Sequence, residues 1–238
     1  MTADKLISGM FAEGPVPKSG AQAHHRFGIL LAALFGAFFF LGVAPEGPFG
    51  RTVITVLSGG TLLLALWVAE MPPRRLRLAT VLVAAAVVAA VCADIATRDD
   101  TVIGANAIVN GLLIALAPPA VVLGAVRSFR THGSVTIDAV AGALCFFLLV
   151  GLFFAFLYSA TDSLGGDPFF AGGVDATPSR VVYFSFTTLT SVGYGDLTAR
   201  SDLGHTLSAT EALIGQIYLV TVVALIVSNL APRRSVRS

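Results

Sequence analysis

The sequence predicts an all-α membrane protein with six transmembrane helices and a short re-entrant helix between the fifth and the sixth. Three observations carry this. Hydrophobic residues make up 55% of the 238 and charged residues only 12%, about half the charge of an ordinary soluble domain. The apolar residues collect in six runs long enough to cross a hydrocarbon core of about 30 Å. The connection between the last two runs is long and contains a further apolar stretch too short to cross.

The six runs are Phe27–Ala44, Thr52–Ala69, Leu76–Ala96, Val102–Val126, Ile137–Ala160 and Leu203–Leu230. In lipid each backbone N–H and C=O must find its partner within the segment, so each run is read as a helix. The first run exceeds the h-region of a secretory signal, about 7–15 residues, and a polar stretch precedes it, so it is expected to stay attached. Four divisions follow: a cytoplasmic segment over 1–26, a four-helix membrane bundle over 27–130, a second membrane unit over 131–230 and a short cytoplasmic tail over 231–238.

Orientation follows from the basic residues. If the N-terminus is cytoplasmic, eleven of the fifteen Lys and Arg residues lie on that side, and only Arg51, Arg98, Arg180 and Arg200 lie outside. The positive-inside rule then places both termini in the cytoplasm. The Ala- and Val-rich composition fits a bacterial plasma (inner) membrane. The outer loops collect acids, among them Asp162, Asp167, Asp175, Asp196 and Asp202, which would concentrate cations near that face.

Several functions are unsupported. A net charge of +1 gives no basic surface for nucleic acid. Cys92 and Cys145 each sit in an apolar run and read as small buried hydrophobes. No metal spacing, phosphate loop or nucleophile–base set appears, so neither an enzyme nor a cofactor is expected. His24, His25, His132 and His205 are scattered; only His205 falls at an outer helix end. The fourth run carries no charge, whereas a voltage-sensing helix carries several. Its Pro118-Pro119 pair should kink it. Arg127 and Arg130 follow its end and read as cytoplasmic anchors. Asn106 and Asn110, one turn apart, are placed to hydrogen-bond a neighbouring helix. Asp94, near the outer end of the third run, reads as a packing residue.

Between the last two runs, Leu164–Ala176 is polar and Gly-rich. Thr177-Pro178 then reads as an N-cap followed by proline at the first helical position. A helix from Pro178 to about Leu189 is too short to span, and such a re-entrant segment is stable only when buried in protein or lining water. Directly after it stands Thr190-Ser191-Val192-Gly193-Tyr194-Gly195-Asp196. Gly193 and Gly195, two apart, suit a backbone that alternates its twist through positive φ.

From about Ile137 to Leu230 this sequence resembles the potassium channel family. The resemblance implies a homotetramer in the lipid bilayer, with a four-fold axis and four copies of the loop around it. Backbone carbonyls of Ser191, Val192, Gly193 and Tyr194 would then replace the hydration shell of K+, the permeant ion, and the Ser191 hydroxyl would complete the innermost site. Val192 and Tyr194 would pack on the short helix, whose C-terminal end favours a cation. Serine at position 191 stands where the family most often has threonine. It keeps the hydroxyl and loses the methyl that restrains the rotamer, so looser selectivity is expected.

Around this filter, Thr190 leads into the loop. Tyr183 and Asp196 either form a brace, as an aromatic–Asp pair does in relatives, or act independently. Thr187 either holds a water behind the filter or bonds its own helix. Glu211, an ionisable residue in the last run, pairs with the short helix, faces the vestibule or snorkels to the outer surface. By resemblance Gly215 is the hinge of the last helix; the other reading is a packing glycine. The function implied is passive, potassium-selective permeation. The alternatives are a weakly selective cation channel and a non-conducting membrane scaffold or sensor that keeps the fold.

Overall fold

The computed structural model describes residues 19–43, 45, 47–69, 72–96, 100–123 and 137–230. Arg127, Arg130 and His132 lie outside them, as do the termini and the side chains of His24, His25 and Asp94.

The main helices are α1 (Ser19–Val43), α2 (Pro48–Val68), α3 (Pro73–Ala96), α4 (Asp100–Ala115), α5 (Ile137–Leu164), α6 (Pro178–Leu189) and α7 (Asp202–Leu230); residues 117–123 are also helical, and Ala171–Gly173 form one 3-10 turn. No strand occurs among the described residues, only an isolated antiparallel bridge between Phe170 and Ala199. Each helix covers most or all of the run or short helix the sequence predicts. Four of the helices are long and apolar enough to cross a membrane, within Phe49–Val68, Pro73–Ala93, Gly104–Leu123 and Val140–Leu164; α1 carries a shorter apolar segment, Phe27–Val43. The molecule is therefore a largely helical, multi-pass membrane protein.

Local sequence explains the boundaries. Prolines open α2, α3 and α6, where the missing N–H costs nothing because the first turn has no intrahelical acceptor. The fourth run is broken at Leu116, immediately before Ala117-Pro118-Pro119, and is helical again to Leu123. Proline removes a donor and crowds the preceding turn, so a break is expected there.

One hydrophobic core runs through the front helices and the C-terminal ones. It contains Leu30 and Leu34 of α1, Ile114 of α4, Leu149 and Leu152 of α5, and Val181 and Val182 of α6. Helix α5 is central: α1, α4, α6 and α7 all pack on it, and α6 also touches α1 and α7. The short helix is thus wrapped by three long ones, the condition under which it is stable at membrane depth.

The Gly-rich connection after α5 is ordered by the loop that follows the predicted filter. Ala171 N–H donates to Thr198 O at 2.9 Å and Arg200 N–H to Phe169 O at 2.8 Å. Arg200 pairs with Asp167 at 3.4 Å, a solvent-exposed pair that adds little. Phe169 and Phe170 are buried and meet Phe184 edge-on, with Tyr158 against Phe169 and Phe184.

Candidate functional site

Helix α6 has 12 residues, so it is about 18 Å long and cannot span. Thr177 caps it by accepting the Arg180 N–H at 3.4 Å. Its C-terminal end holds the loop. Thr187 O accepts from Val192 N–H at 2.9 Å and Gly193 N–H at 3.0 Å, while Thr188 O accepts from Ser191 N–H at 2.8 Å. These two carbonyls at the helix end accept the loop's own amides. The helix end therefore anchors the first half of the loop.

Beyond that anchor the backbone alternates. φ is 58° at Ser191, 51° at Gly193 and 77° at Gly195; it is −82° at Thr190 and not positive at Val192 or Tyr194. Peptide planes that flip at every residue turn successive carbonyls toward one side, whereas an extended strand alternates them. The glycines take positive φ without a Cβ clash. Ser191 does so as the only non-glycine among the described residues. Left-handed geometry costs such a residue about 1–2 kcal/mol. The sequence signals positive φ only at the glycines; serine carries no compositional signal for it.

The supporting residues fall into place unevenly. Tyr183 donates its hydroxyl to Asp196 at 2.9 Å, and its ring stacks on Tyr194 with centroids 6.2 Å apart. Tyr194 therefore does lie against the short helix. Val192 is 53% exposed in the single chain, while its N–H is held by Thr187 O of the short helix. The Thr187 hydroxyl bonds Phe184 O of its own helix at 3.0 Å, and the Thr190 hydroxyl bonds Phe186 O at 2.6 Å. Both follow the local back-bonding habit of threonine. The Ser191 hydroxyl lies 3.5 Å from Gln216 Oε1 on α7. Gln216 was not singled out from sequence; being polar one residue past Gly215 was the available signal.

Glu211 neither snorkels nor faces a vestibule. It is completely buried, with Oε2 2.5 Å from the Tyr158 hydroxyl of α5 and Oε1 2.5 Å from the Ser185 hydroxyl of α6. Neither partner stood out in the sequence, since each is a single polar residue in an apolar or Ser/Thr-rich helix. Gly215 is buried where α7 crosses the end of α6, and a Cβ there would run into Leu189 O. Three residues on, Tyr218 donates to Ala143 O at 2.6 Å and stacks on Phe146 and Phe147.

In the front helices Asn106 donates to Ala90 O and Asn110 to Thr55 Oγ1, each at 3.2 Å, so both asparagines tie α4 to a neighbour. Asn110 Oδ1 is buried without a protein partner. A cavity of roughly 260 Å³ lies between these helices and α5–α6, lined by Arg51, Asn106, Phe156, Asp162 and Val181 among others. No cluster of metal-ligating side chains occurs among the described residues.

This arrangement, a short helix buried among long ones with an alternating-φ loop at its end, can present a row of backbone carbonyls to an ion. Residues 142–231, from early in α5 to just past α7, match the family model described as Ion channel. No curated protein and no solved structure matched the chain. The match and the apolar helices support an ion-channel subunit, embedded in a membrane and passing it several times.

Proposed function

We propose that the chain is one subunit of a homotetrameric, potassium-selective channel, with Ser191 to Gly195 as its filter. The observation that carries this reading is the sign alternation of φ from Thr190 to Gly195. A row of backbone carbonyls turned to one side is what strips and replaces the hydration shell of a monovalent cation.

The tetramer follows from the same loop. Val192, Gly193, Tyr194 and Gly195 are exposed in the single chain. Unpaired backbone groups at membrane depth are stable only beside protein or water. Four copies around an axis supply both: neighbours behind the loop and a water-filled path in front of it. Leu213, Ile217 and Val220 on α7 are also exposed and apolar, as a face between copies or toward lipid would be.

The remaining features belong to the same reading. The chain crosses the plasma membrane six times, with both termini cytoplasmic, and acts as a passive pore without catalysis or a bound cofactor. The front bundle does not act as a conventional voltage sensor. Potassium uptake into liposomes carrying the purified chain, with sodium as control, tests the reading. Fast uptake of K+ over Na+ supports it. Equal uptake of both ions would favour the weakly selective channel, to which serine rather than threonine at position 191 points. No uptake of either ion would leave the non-conducting scaffold.

A further inference from the structure

Glu211 is the most deeply placed acid among the described residues, and conduction by backbone carbonyls has no need of it. It sits where three helices meet: its own α7, α5 through Tyr158, and α6 through Ser185. All three side chains are fully buried. No charged side chain pairs with Glu211 among the described residues; its polar neighbours are Tyr158 and Ser185, and Ser208 stands one turn before it beside the Tyr158 hydroxyl.

The protons available along this chain of oxygens favour one state of the acid. Ser185 Oγ lies 2.5 Å from Glu211 Oε1 and 2.7 Å from Gly151 O. A hydroxyl has one proton and a backbone carbonyl has none. If Glu211 were ionised, Ser185 would donate to it, and the Ser185 oxygen and the Gly151 carbonyl would face each other with no proton between. If Glu211 is protonated, every contact is served. Tyr158 donates to Oε2, the carboxyl proton on Oε1 is donated to Ser185, and Ser185 donates to Gly151 O. The neutral form also avoids an unpaired buried charge, which costs far more than a buried neutral group.

We propose that Glu211 is a neutral, proton-sharing positioning residue that clamps α6 between α5 and α7 and so sets where the filter loop hangs. The clamp acts four residues before Leu189, the last residue of the helix that anchors Ser191, Val192 and Gly193. A shift of α6 along its axis moves the carbonyls that hold the start of the loop. The proposal deepens the channel reading, and its flux arm rests on that reading.

Infrared difference spectra of the full chain in lipid vesicles at neutral pH read the proton directly. The wild type should show a protonated-carboxyl C=O band that is missing in Glu211→Gln. Absence of the band from the wild type, or its persistence in Glu211→Gln, would overturn the proposal whether or not the protein conducts. In the second arm, Glu211→Ala should lower both thermal stability and K+ uptake, the latter at least about tenfold, as loss of a satisfied buried network does. Glu211→Gln should restore both, because its amide donates to Ser185 and its carbonyl accepts from Tyr158, as the neutral acid does. If glutamine proves no better than alanine in stability, the hydrogen-bonded clamp is wrong. If the wild type carries no K+ at all, the channel reading fails, while the spectra and the stability comparison still decide the clamp.

Discussion

The carbonyl of Leu189, the last residue of α6, lies against Gly215 of α7 so closely that a Cβ at position 215 would collide with it. Glycine at this position therefore has a packing reason independent of bending. Gly215→Ala should push α6 and α7 apart and destabilise the protein by about 1–3 kcal/mol, the usual cost of overpacking. Thermal denaturation in detergent or lipid measures this. A variant of unchanged stability with altered opening would instead support the hinge that the family resemblance implies.

Gly193 holds φ at 51° in the middle of the alternation. Alanine there pays the left-handed penalty, about 1–2 kcal/mol per copy. Flattening the backbone to relieve it would turn a carbonyl away from its row. Gly193→Ala is expected to abolish K+ flux and leave assembly largely intact, since an added Cβ at 193 would meet no atom within 4 Å. Liposome flux together with size-exclusion chromatography checks both halves, and undiminished flux would refute the assigned filter.

Ser191 combines a positive φ with a hydroxyl 3.5 Å from Gln216, a weak contact by its length. A threonine methyl would restrict χ1 where serine is free. Ser191→Thr should therefore raise the K+ over Na+ permeability ratio, by a few-fold, while Ser191→Ala should lower it. Bi-ionic reversal potentials measure the ratio. No change in either variant would show that the hydroxyl takes no part in the inner site.

The described part of the fourth run, residues 102–123, carries no Lys or Arg and is broken before its proline pair. Each elementary charge crossing the membrane field gains only about 2.3 kcal/mol per 100 mV, so steep gating needs many of them. Conductance should rise shallowly, if at all, with voltage. A steep conductance–voltage curve in planar bilayers would contradict this.

Composition and local motifs were enough to set the helices, their approximate ends and the position of the loop. Lipid leaves a backbone no partner but itself, so apolar length translates directly into helix; Thr177-Pro178 and Pro118-Pro119 mark ends by chemistry local to the chain. The loop was legible through its resemblance to the potassium channel family, with Gly193 and Gly195 at positions where a backbone of positive φ needs them. How the helices turn about their own axes emerged from packing alone. Glu211 meets Ser185 and Tyr158 across 26 and 53 residues of chain, and no periodicity foretells such a meeting when almost every face is apolar. The same holds for Gly215 against Leu189, which become neighbours only once α6 and α7 have packed. The left-handed turn at Ser191 is local by contrast: its N–H and that of Val192 close back on Thr188 O and Thr187 O at the end of α6.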